Sequence, residues 1–81
     1  MNTGEANKPV GQPRCLIDLK DGETAVIRAN GDRKSTEMGL FPQARVVMFR
    51  NRKAEQSLVI GAGDARFLVS RAIAKKVEIE G

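Results

Sequence analysis

The sequence predicts one small, mainly β domain, a closed barrel of five short strands with one or two short helical segments. Three observations predict it. The 81 residues leave room for a single core and no second one. Five runs rich in aliphatic and β-branched residues follow one another closely, each bounded by turn residues. The two helix signals both fall well short of the dozen or so residues that make a helix stable alone, so the sheet must carry the fold. Closure follows from size, because a sheet this small has little with which to protect open edges.

Residues 1–13 hold Gly4, Pro9, Gly11 and Pro13 among polar residues, with Val10 their one large aliphatic, and are expected to be a disordered tail. The ordered domain is expected over residues 14–81, beginning near Cys15-Leu16. Lys20-Asp21-Gly22-Glu23 has the chemistry of a tight turn. Thr24-Ala25-Val26-Ile27-Arg28-Ala29 then reads as the first strand. Asp32 caps a helix over Arg33 to Met38, Gly39 occupies the left-handed stop, and Pro42 follows the stop. Arg45 to Arg50 is the second strand and Ser57 to Ile60 the third. A turn at Gly61-Ala62-Gly63-Asp64 leads to a fourth over Arg66 to Val69, with Phe49 and Phe67 assigned to the core. Ser70 caps a single helical turn through Ala74, and Val77-Glu78-Ile79-Glu80 alternates apolar with charged residues as the fifth strand.

Composition removes most chemistry. There is no histidine and only one cysteine, Cys15, so neither a zinc site, a Cys-His pair nor an internal disulfide can form. Acidic residues stand singly, leaving no seat for paired acid-base work and no metal-loop spacing at Asp32, Glu37 or Asp64. The Gly61-Ala62-Gly63 stretch lacks the rest of a dinucleotide or phosphate-loop signature. No enzyme, cofactor or metal is expected. No apolar run approaches the roughly 20 residues of a membrane span, and Met1 to Pro13 has no apolar signal core. A cytoplasmic protein without direct membrane insertion is therefore expected. A net charge of +4 leaves open an anionic partner.

Glu37-Met38-Gly39-Leu40-Phe41-Pro42 resembles the Glu/Asp-Leu/Met-Gly-Leu-x-Pro-Gly element of the FeoA family. Leu19-Lys20-Asp21-Gly22-Glu23-Thr24-Ala25 is similar to that family's opening segment, and Gly31-Asp32 to the pair before its helix. Arg66 to Ala74 is similar to the Arg-Leu-Ala-Leu-Gly-Arg-Gly-Met-Ala run of one subgroup. Gln43 stands in place of the usual glycine, so the turn there need not have positive φ. The helix is also about one turn short, roughly 5 Å.

The resemblance implies an SH3-like barrel that docks on the cytoplasmic side of the FeoB transporter and modulates ferrous iron uptake. The expected contact surface is the helix and its exit: Met38, Gly39, Leu40, Phe41 and Pro42. The competing reading is that Met38, Leu40 and Phe41 plug the end of the barrel. A second hypothesis, nucleic-acid binding, rests on Arg45, Arg50, Arg52 and Lys53. The lack of Trp and Tyr for base stacking argues against it. A third is a stand-alone repressor-type interaction domain.

Overall fold

Strands form where the β-branched runs lie, but their order in space is not their order in the chain. The computed structural model describes residues 14–80, so the expected tail at 1–13 lies outside the described residues. The elements are β1 (Arg14–Cys15), a 3₁₀ turn (Leu16–Asp18), β2 (Thr24–Asn30), α1 (Arg33–Met38), β3 (Arg45–Arg50), β4 (Ser57–Ala62), β5 (Ala65–Ser70), α2 (Arg71–Ala74) and β6 (Val77–Glu80). All six strands join one antiparallel sheet in the order β1-β6-β2-β3-β4-β5. The architecture is mainly β with two short helices, as expected. The sixth strand is β1, whose two residues pair with Ile79 and Glu78.

Period-two alternation puts one side of every long strand inside. Ala25 and Ile27, Val46 and Met48, Leu58 and Ile60, and Val77 and Ile79 are all buried. Leu16 and Leu19 from the 3₁₀ turn, Leu40 after α1 and Ala74 of α2 complete the same core. Each large aliphatic sealed there contributes about 1.5–3 kcal/mol. Irregularities in register between Ile27 and Ala29 and between Met48 and Arg50 give the sheet the bends that let it curl.

The ladder does not close into a ring. Among the described residues β1 and β5 are the two ends of the strand order and are not paired with each other. β5 runs straight into α2, which carries the chain back to β6, and the last rung toward β4 is Arg71 N donating to Gln56 O at 3.0 Å.

Two turns follow their local chemistry. Glu23 N donates to Lys20 O with Gly22 at φ +88°. The β4–β5 hairpin turns on Gly63-Asp64, with Gly63 at φ +60°, while Gly61 and Ala62 belong to β4 rather than to the turn. The long β3–β4 connection is tied down by Asn51. Its side-chain amide donates to Ile17 O and Leu19 O (3.0 and 2.7 Å), and its oxygen accepts from Arg71 at 2.9 Å. Arg71 also donates to the carbonyls of Glu55 and Arg52.

Candidate partner-docking site

Short as it is, α1 is closed at both ends. Asp32 is in the extended region and its carboxylate accepts from Ser35 N at 2.8 Å, which holds its pKa below the ordinary 3.8. Asn30 fixes Asp32 in turn, accepting from Asp32 N at 2.8 Å while donating to Ser35 Oγ and to Leu40 O. At the other end Leu40 N donates to Ser35 O and Gly39 N to Thr36 O, the paired bonds of a Schellman stop. Gly39 sits at φ +135° with the Phe67 ring against it, and a Cβ there would lie 3.1 Å from that ring. Only glycine serves both demands.

The chain then makes a second turn, Phe41-Pro42-Gln43-Ala44, closed by Ala44 N to Phe41 O at 3.0 Å. Contrary to expectation, Gln43 does have positive φ, +82°. The cause is the turn itself: Pro42 takes the position that fixes φ, and the residue after it must be left-handed in a type II turn. Gln43 N to Ile27 O (2.7 Å) and Ile27 N to Ala44 O (2.8 Å) then clamp the turn to β2.

These two turns divide the predicted contact residues. Leu40 is 1% exposed and belongs to the core, so it does plug the barrel end. Met38 and Phe41, 52% and 51% exposed, do not, and Pro42 is exposed beside them. Met38 and Leu40 also line a groove of about 340 Å³, whose far wall is Phe67, Leu68, Val69 and Ile73. Leu68 is 74% exposed. Sequence reasoning missed Leu68, although its alternation with inward Phe67 and Val69 already placed it on the outside of its strand.

The predicted basic cluster is not brought together as free charge. Arg50 makes two bonds to the Glu55 carboxylate (2.8 and 2.6 Å), and Arg52 is paired with Asp21. The Arg50 bonds lower the Glu55 pKa; a backbone bond from Asn51, with Arg52 behind it, lowers that of Asp21. Arg45 and Lys53 are exposed, with Arg45 on β3 beside a second depression shared by Phe49 and Arg66. Phe49 was expected in the core but is 44% exposed, because with Val46 and Met48 facing inward the alternation of β3 puts Val47 and Phe49 on its outer face. Its ring leans over Gly61, where a Cβ would come within 2.3 Å, and the Arg66 guanidinium lies 4.3 Å from the ring centre. A ring so covered is a poor platform for a nucleic-acid base.

Among the described residues no group of three or more His, Cys, Asp or Glu is placed to hold a metal, and no helix is long and apolar enough to cross a membrane. A family model, the FeoA domain, matches residues 14–81. The chain belongs to the FeoA family. No curated protein matches it.

Among solved structures it is similar to an iron uptake regulatory protein (FeoA), with a TM-score of 0.76, 19% identity and coverage of 85% of this chain and 97% of that one. It is also similar to Stenotrophomonas maltophilia FeoA in complex with zinc, described as an SH3 domain protein and put forward as a ferrous iron transport activating factor. That match has a TM-score of 0.75 at 22% identity, over 83% and 89% of the two chains. A manganese-dependent transcriptional repressor matches with a TM-score of 0.74 at 18% identity, over 91% of this chain and 45% of the repressor. The FeoA fold, an SH3-like barrel, is thus the fold of this chain.

Proposed function

We propose that this FeoA-family chain is a non-catalytic, cytoplasmic accessory of ferrous iron transport that binds the cytoplasmic region of a FeoB-type transporter and so sits at the inner face of the membrane. The observation that supports this most is the exit of α1. Two closed turns hold Met38 and Phe41 half-exposed on either side of buried Leu40. An aromatic kept out of the core by a rigid turn loses little entropy on docking, which suits an interface anchor. Family membership supplies the pathway, and the similar structures described as FeoA supply the fold.

The test is a titration of isotope-labelled protein with the cytoplasmic GTP-binding region of the transporter. Amide shifts are expected across residues 37–43. Phe41→Ala and Met38→Ala should leave stability within about 0.5 kcal/mol, as exposed positions do, while Phe41→Ala weakens binding about tenfold or more. Leu40→Ala should instead lose about 2–5 kcal/mol of stability, as a core truncation. Binding without any change at 37–43, or unaltered by Phe41→Ala, would sink this interface.

A further inference from the structure

The two ends of the sheet are unequal. β1 is two residues long and passes at once into a 3₁₀ turn, which leaves little edge to pair with. β5 is six residues long and in unbroken register with β4 from Ser57↔Ser70 to Ala62↔Ala65. It has no proline, lysine or bulge, the usual means of blunting an edge. Its one charged residue, Arg66, is held over the Phe49 ring.

The register also says which groups are unused. A two-residue hairpin turn closes on a hydrogen-bonded pair, here Ala62↔Ala65, and such pairs then alternate. Arg71 N to Gln56 O confirms the parity at the other end of the ladder. Odd-numbered residues of β5 therefore bond to β4, and Arg66 and Leu68 direct their N–H and C=O away from it. Among the described residues no other strand meets them. The groove runs along this edge, with Met38 of α1 facing Leu68 and Val69 across it.

We infer that β5 is a strand-addition site: an extended segment of a partner protein pairs with Arg66 and Leu68 and lays alternate apolar side chains into the groove beside Met38 and Ile73. Main-chain bonds would give affinity and the groove would give side-chain preference. Charge selects an acidic segment. Among the described residues the groove lining holds one carboxylate, Asp32, capped by the Ser35 amide, and two cations, Lys34 and Lys76, are close enough to act on its charge. Arg66 on the strand, over the Phe49 ring, adds a further cation, so positive charge is in excess at this edge. A second copy would set one cationic rim against another. The inference rests on the docking reading above and adds the shape and chemistry of what docks.

Amide exchange decides it. With the transporter's cytoplasmic GTP-binding region present, exchange at Arg66 and Leu68 should slow at least tenfold. Shifts at 37–43 with unchanged exchange at these two amides would overturn strand addition and leave the docking reading standing; no shifts anywhere would overturn both. Slowing that tracks the protein's own concentration, without partner, would mean self-association and would also overturn it. Leu68→Pro removes one outward donor at a position where an edge strand tolerates proline. It should weaken binding at least tenfold more than Leu68→Ala, and equal losses would count against main-chain pairing. If the proline variant does not fold, the exchange measurement on the native chain still decides.

Discussion

With φ at +82°, Gln43 holds a conformation that costs a residue with a Cβ about 1–2 kcal/mol, and the surrounding bonds keep it there. Its own N–H is given to Ile27 O, and Ala44 N closes the turn on Phe41 O, so relaxation would break the clamp between the α1 exit and β2. Gln43→Gly should therefore raise stability by about 0.5–1 kcal/mol, once the extra freedom of the unfolded chain is set against the relief. The melting temperature checks it, at about 4–8 °C per kcal/mol for a domain of this size. Gln43→Val should move it the other way. Pro42 was a partial clue in the sequence: proline at that position opens type I and type II turns alike, and only the type II turn found here makes its successor left-handed.

At the scale of elements, the β3–β4 connection depends on Arg71 as much as on its own residues. The guanidinium reaches Glu55 O, Arg52 O and the Asn51 side chain, a spread of acceptors that a single ammonium does not match. Arg71→Lys should cost about 1–2 kcal/mol, read as a lower urea midpoint at unchanged slope. The strands β2 through β6 and both helices were legible because alternation and caps are local properties. β1 was not, since Arg14 and Cys15 become a strand only by meeting Ile79 and Glu78. Nor was the outward side of Phe49, because Val47 and Phe49 are as apolar as Val46 and Met48 and alternation alone does not say which pair faces inward. The site was legible in part. The Schellman stop was written in Gly39, but whether Met38, Leu40 or Phe41 would be buried depended on where β2 and β5 lay.

For the molecule as a whole, three carboxylates couple stability to pH. Asp32 is held by the Ser35 amide, Asp21 by the Asn51 amide and Arg52, and Glu55 by Arg50, all below their ordinary values of 3.8, 3.8 and 4.5. A carboxylate whose pKa is lower folded than unfolded adds stability in full above the unfolded value, and loses it as pH falls through the folded one. Stability should thus be level on the neutral side and decline below about pH 4. Urea midpoints from pH 7 to pH 3 would show it, and Asp32→Asn with Glu55→Gln should flatten the acid limb while lowering the plateau. A midpoint that does not fall below pH 4 would contradict the assignment.

The place of β6 in the sheet bears on synthesis. It lies between β1 and β2 and, among the described residues, is the only partner of β1. A nascent chain that has emerged only as far as Lys76 holds β2 through β5 in hairpin order but lacks the strand that joins them to β1. Val77 and Ile79 are missing from its core too. The barrel cannot be finished vectorially, one strand after another. It must wait for its last strand to clear the ribosome, exposing the open flank of β2 to chaperones and to neighbouring chains until then.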